Sequence, residues 1–154
     1  ERDSLTKLLN KNAARRQAEE YLARFPNGAP CAMVIIDLDD FKQVNDKYGH
    51  LYGDRVLIYI ANLFKVLLEK DEFIGRFGGD EFIVYLTNVN NKKTAEKVAA
   101  KLCAAVSALS LEKEEWGEIT ASFGLAFGDG ATTWATLYHQ ADVALYDAKA
   151  IENR

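Results

Sequence analysis

Apolar positions along the chain change period several times, and each change marks an element. Asn12 can cap a helix whose apolar residues Ala14, Ala18, Tyr21, Leu22 and Phe25 recur at helical spacing and stop before Pro26-Asn27-Gly28. An unbroken apolar run follows from Cys31 to Ile36 and is closed by Asp37. Bounded by turn residues, it predicts a central strand buried on both faces. Val56, Leu57, Ile60, Phe64, Leu67 and Leu68 then make one stripe, predicting a helix over 54–69. Short apolar runs at 72–77 and 81–86 flank Gly78-Gly79, a dipeptide that supplies the positive φ angles of a hairpin turn. Helical spacing returns over 92–109, with Ala95, Val98, Ala99, Leu102, Cys103 and Val106 inward. A strand is predicted at 119–127, and a closing helix over 133–151 carries Leu137, Ala141, Ala144, Leu145 and Ala148. The order helix, strand, helix, hairpin, helix, strand, helix predicts an α+β fold, a mainly antiparallel sheet covered by helices.

Composition narrows the class without changing that order. The 154 residues are 49% hydrophobic and 27% charged, which suits one compact domain. At this length a chain buries roughly 70% of its unfolded surface and needs no metal or disulfide staple. Cys31 and Cys103 sit in apolar runs and read as small core residues, so a reducing cytoplasm is the expected compartment. No run approaches the ~20 apolar residues of a membrane span, and ERDSLTKLLN is no signal peptide. With 19 basic against 23 acidic residues, a net charge of −4 and no basic block, nucleic acid is not an expected partner. Nor does the segment carry a membrane-binding signal.

Candidate chemistry gathers where the buried strand ends. Asp37, Asp39 and Asp40 cluster there, and in extended chain Asp37 and Asp39 point to the same side. Asp39 or Asp40 could simply cap a helix starting near Phe41. Alternatively, crowded carboxylates call for a cation to neutralise them. Asp80 and Glu81 directly follow the Gly78-Gly79 turn. A hairpin lying beside the central strand would bring them towards Asp37, an oxygen-rich pairing that suits Mg²⁺. The two glycines also let a bulky substrate approach the backbone. In DLDDFKQVNDKYGHLYGD, Asn45 and Asp54 could read the donor edge of a guanine, and Lys42 could meet a phosphate. His50 reads as a packed or capping residue and His139 as a surface one.

Taken as motifs, these residues resemble the GGDEF domains, the diguanylate cyclase family. GGDEF itself stands at Gly78 to Phe82. DSLTKLLNK at Asp3 to Lys11 is similar to the family's opening D-x-L-T-G-L-x-N-R. DLDDFKQVNDKYGHLYGDRVL at Asp37 to Leu57 is similar to its D-x-D-x-F-K-x-x-N-D-x-x-G-H-x-x-G-D-x-x-L. ITASFGLA at Ile119 to Ala126 and ADVALYDAK at Ala141 to Lys149 complete the blocks in order. The resemblance implies a ferredoxin-like core related to adenylyl cyclases and polymerase palms. It implies condensation of two GTP molecules into cyclic di-GMP by a homodimer, with Mg²⁺ or Mn²⁺ as cofactor. By the same resemblance, Asp37, Asp80 and the carbonyl of Leu38 would hold the metal, and Glu81 would assist it or activate the attacking hydroxyl. Asn45 and Asp54 would read guanine, Lys42 and Lys149 would meet phosphates, and Gly78 and Gly79 would lie against substrate.

Several positions depart from the family pattern. An R-x-x-D product-inhibition motif often precedes the turn, but Glu69-Lys70-Asp71-Glu72 stands here, so that site is expected to be absent. The last helix usually ends A-K-x-x-G-R-N, whereas this chain has Asn153 at the arginine position and Arg154 one place later. Lys7 replaces a usual glycine and Lys11 a usual arginine, both expected to lie outside the phosphate site. Family members usually carry an upstream sensor or dimerising helix, so the 154 residues read as one domain excised from a longer regulatory protein. The alternative to a cyclase is a catalytically silent domain that binds GTP as a sensor or docking module.

Overall fold

The computed structural model describes residues 1–25, 28–112, 119–129 and 132–152. Its elements run α1 (Lys11–Ala23), β1 (Cys31–Leu38), α2 (Phe41–Tyr48), α3 (His50–Leu67), β2 (Phe73–Arg76), β3 (Glu81–Leu86), α4 (Lys92–Glu112), β4 (Ala121–Gly128) and α5 (Trp134–Glu152). The four strands form one antiparallel sheet in the order β2-β3-β1-β4. This is the expected α+β architecture, with the Cys31 run as its interior strand.

Two apolar layers hold the sheet, one on each face. Ala32, Val34, Ile36 and Leu38 point towards α3 and α4, where Val56, Ile60, Phe64, Ala99 and Leu102 meet them. Cys31, Met33 and Ile35 point the other way, against Ala14 and Ala18 of α1 and Leu137, Ala141 and Leu145 of α5. Both sets of β1 side chains are essentially inaccessible, which explains why no polar residue interrupts the run before Asp37. Among the described residues, no helix is long and apolar enough to cross a membrane.

Three expectations need correction. The cap of α1 is Asn10, whose side chain accepts the Ala13 amide at 2.9 Å, whereas Asn12 lies exposed within the first turn. The predicted element order counts one helix between β1 and the hairpin, over 54–69, but a separate helix does start at Phe41, and Gly49 at φ 92° divides it from the second, which begins at His50. The hairpin connection covers residues 77–80, closed by the Phe77 amide donating to the Glu81 carbonyl at 3.0 Å, so it is longer than a two-residue turn. Gly78 and Gly79 do carry positive φ, 108° and 51°. The turn expected at Pro26-Asn27 falls outside the described residues.

One contact sets the distance between α5 and the sheet. A Cβ at Gly124 would run into the carbonyl of Ala141 and the amide of Leu145, so the helix backbone lies directly on β4 there. Replacing Gly124 by alanine should therefore push α5 off the sheet and cost about 3 kcal/mol, the upper range of an overpacked core. Urea titration of the variant beside the parent measures it, and an unchanged midpoint would refute the close approach.

Candidate active site

The sheet ends in acids because register puts them side by side. Asp37 pairs with Glu81 of β3 on one flank and with Ser122 of β4 on the other. The Leu38 amide donates to the Asp80 carbonyl at 3.3 Å, tying the hairpin turn to the end of β1. Asp37, Leu38, Asp80 and Glu81 thus come together, as the pairing argument from sequence required.

Their electrostatics are unfavourable without a cation. Burial, together with the neighbouring charge of Asp37, raises the Asp80 carboxyl to about 6. Asp37 Oδ1 is buried with no hydrogen-bond partner, while Oδ2 lies 3.1 Å from Lys149 Nζ on α5. Burial alone would lower the Lys149 ammonium, but the hydrogen bond and charge of Asp37, then Asp39, hold it above its ordinary value. A bare buried carboxylate oxygen beside a second carboxylate is a hard-oxygen donor pair, which fits Mg²⁺ or Mn²⁺. No group of three or more metal-binding side chains occurs among the described residues, so a backbone carbonyl such as that of Leu38 would have to complete the set.

Neither Asp39 nor Asp40 caps α2 through its side chain. Asp40 occupies the cap position of α2 in a left-handed conformation, φ 52°, and makes no side-chain capping bond. The Asp39 carboxylate caps nothing either: Thr120 Oγ1 donates to Oδ2 and Ser122 Oγ to Oδ1, both at 2.7 Å. Glu81 turns towards α5, where Tyr138 donates to its Oε1 at 3.3 Å. Burial raises the Glu81 carboxyl, and Tyr138 only partly offsets it.

The nucleotide-reading candidates form a second corner. Asn45 is half-buried on α2, and its amide sits against Gly53 of α3, at a distance that leaves no room for a Cβ. Asp54 is the next residue, so the tight α2–α3 contact holds Asn45 and Asp54 on the same corner. Lys42 is exposed on the first turn of α2, a few residues from Asp39. A Cβ at Gly78 or Gly79 would meet nothing within 4 Å, which leaves the face of the turn open.

Several supporting residues carried no signal in the apolar pattern. Arg76 holds the turn: its Nε and Nη2 donate to the Gly79 carbonyl at 3.0 and 2.8 Å, while Nη1 donates to both oxygens of Asp3 at 3.0 and 3.1 Å. That brace spans 73 residues of sequence, beyond the reach of periodicity. Thr120, Ser122 and Tyr138 were likewise unassigned. Lys7 adopts φ 64°, which explains the glycine usual at this position. Lys11 stacks over the rings of Tyr138 and Phe77, 4.9 and 5.6 Å from their centroids, and lies near enough to Glu81 to affect its charge. Glu72 is committed to the loop, accepting the amides of Glu69, Thr87 and Asn88 at 3.0, 3.1 and 3.1 Å. His50 and His139 are both exposed, and Asn153 and Arg154 fall outside the described residues.

Comparison with known proteins covers the whole chain. The profile described as "Diguanylate cyclase, GGDEF domain" matches residues 1–154. Diguanylate cyclase DgcP of Pseudomonas aeruginosa is 36% identical over 149 residues, which is 96% of this chain and 22% of that protein's length. A sensory box/GGDEF family protein from Caulobacter crescentus superposes with a TM-score of 0.83 at 31% identity, covering 97% of this chain and 98% of that one. The GGDEF domain of DgcB from Caulobacter crescentus, solved in complex with c-di-GMP, gives 0.85 at 25% identity over 97% and 87%.

The raised Asp80 carboxyl has a definite sign. Its folded value, about 6, exceeds the ordinary 3.8, so the folded state binds the extra proton and stability falls as pH rises between those values. In buffer without divalent cations, Asp80→Asn should melt at a higher temperature than the parent at pH 7.5. The difference should narrow as pH falls through that window and vanish only below its lower end, 3.8, where the carboxyl is protonated in both states. Equal melting temperatures at pH 7.5 would contradict the carboxylate repulsion.

Proposed function

The chain belongs to the GGDEF-domain, diguanylate cyclase family, and we propose that it condenses two GTP molecules into cyclic di-GMP with release of two pyrophosphates. One observation carries this reading: the bare, buried Oδ1 of Asp37 beside the strained carboxyl of Asp80. Asp37, Asp80 and the Leu38 carbonyl would hold Mg²⁺ or Mn²⁺, which supplies positive charge where the α-phosphate and departing pyrophosphate gather negative charge.

The side chains around that pair divide the remaining work. Asp54 accepts from the N1–H and exocyclic amine of guanine and Asn45 bonds its edge, a donor pattern that adenine lacks. Lys42 and Lys149 meet the phosphates as point charges. The nucleotide lies along Gly78 and Gly79, where no side chain intervenes. Glu81, with its carboxyl raised by burial, takes the proton from the attacking 3′-hydroxyl. Oxygen then bonds to the α-phosphorus as the bond to the β-phosphate oxygen breaks, and the same step in the partner closes the ring.

Each domain holds one GTP, so two copies must face each other to bring hydroxyl and α-phosphate into line. We infer that the domain works in the cytoplasm within a longer regulatory protein, soluble or membrane-anchored, whose upstream sensor controls that pairing. A domain that binds GTP without turnover is the second reading, favoured by Asn153 at the position where the family usually has arginine.

Turnover decides between them. Incubated with GTP and Mg²⁺ at high concentration, and fused to a dimerising coiled coil, the protein should yield cyclic di-GMP by chromatography. Bound GTP with no product from either sample would establish the silent reading. Asp80→Ala should lower turnover at least about a hundredfold, the scale of losing a principal charge-stabilising group. Parental output from that variant would eliminate the two-carboxylate site. Asp54→Ala should reduce the preference for GTP over ATP at least about tenfold, consistent with losing both of its bonds to guanine, read by competition binding.

A further inference from the structure

Asp39 has no part in the assignments above, yet it is the most firmly held carboxylate at the site. We propose that Asp39 is a positioning residue: it retains the ammonium of Lys149 and so leaves Asp37 available to a divalent cation. The inference rests on the metal-dependent reading of the site.

Two independent features fix the geometry. Thr120 and Ser122 each donate a hydroxyl bond of 2.7 Å to Asp39, one to each oxygen, while the Asp39 amide donates to the Thr120 carbonyl at 2.8 Å. The carboxylate is therefore locked to Thr120 and to Ser122 of β4, and little freedom remains to be lost when a cation pairs with it. On the opposite side, the seating of α5 on Gly124 anchors the backbone from which Lys149 extends. The ammonium is thereby confined to the gap between two carboxylates, 3.1 Å from Asp37 Oδ2 and 3.6 Å from Asp39 Oδ1.

That gap explains how Lys149 and a metal share one acid. In the absence of metal, the ammonium offsets the charge of Asp37. A divalent cation arriving at Asp37 repels it, and Asp39 receives it less than a side-chain length away. Without the negative charge on Asp39, Lys149 has Asp37 as its remaining ion-pair partner here, and the metal must compete with it. Asparagine is the informative replacement because its amide can keep hydroxyl contacts to β4 while removing the charge.

Mn²⁺ binding, followed by the electron paramagnetic resonance signal of free Mn²⁺, tests this directly. Asp39→Asn should need about fivefold more Mn²⁺ for half-saturation, the scale of one ion pair's preference. The double variant Asp39→Asn/Lys149→Met should return to the parental midpoint or below, since no ammonium competes for Asp37. An unchanged midpoint in the single variant would overturn the proposal. A double variant as weak as the single one would also overturn it, because the defect would then be structural. GTP turnover of the parent protein, alone and fused to the dimerising coiled coil, separates the two readings: this Mn²⁺ pattern with no cyclic dinucleotide from either parent sample would defeat the cyclase assignment and leave the role of Asp39 standing.

Discussion

Two carboxylates forced together at the end of a buried strand are the constraint around which this domain is arranged. β1 has no freedom to relieve them, because its side chains fill both apolar layers and its edges pair with β3 and β4. A one-residue slip would turn Met33 and Ile35 into the layer of Val34 and Ile36 and disrupt both cores. Asp37 is therefore held beside Asp80 by packing that has nothing to do with its charge. The repulsion persists as a raised carboxyl at Asp80 and a bare oxygen at Asp37. Stability is exchanged here for a place where a cation is favoured.

The surroundings prevent that repulsion from being relaxed by movement of the turn. Arg76 grips the carbonyl of Gly79 and, through Asp3, the N-terminal segment. The same segment is tied to the edge of the sheet, where the Arg76 amide donates to the Leu9 carbonyl at 2.9 Å. The glycines give the turn its positive φ angles, and Arg76 removes the flexibility that glycines would otherwise bring. Openness towards ligand and rigidity towards the protein are thus supplied by different residues.

What could be read from sequence followed the strength of the apolar signal. β1 and β3 were legible because unbroken apolar runs have few alternatives, and α4 and α5 because their inward residues recur over many turns. The break between α2 and α3 was not, since Tyr48 and Leu51 around Gly49 are exposed and leave no stripe to interrupt. Asn10 and Asn12 are equally good caps by composition. The choice falls to Asn10 because the Leu9 backbone just before it is pinned beside Gly75, forcing extended chain up to that point. At the site, the acids could be paired through the hairpin, but Lys149 entered only through family resemblance. Its approach depends on Gly124, a residue whose importance lies in the absence of a side chain. The roles of Thr120 and Ser122 needed the β1–β4 register, which no local pattern encodes.

The turn leaving β1 joins the acid end of the sheet to the α2–α3 corner, and its conformation has a cost. A left-handed backbone at a residue with a Cβ is unfavourable by about 1 kcal/mol, and Asp40, at φ 52° with no capping bond, has no local compensation. The compensation is next door. Asp39 is bonded through its carboxylate to Ser122 of β4 and through its carboxylate and amide to Thr120 just before that strand, while Phe41 is buried in the α3–α4 layer, so the chain must reverse within one residue between two fixed points. A right-handed Asp40 would carry α2 away from α3 and separate Asn45 from Gly53. The strain at Asp40 is consequently what lets a single short turn position the acids on one side and the Asn45–Asp54 corner on the other.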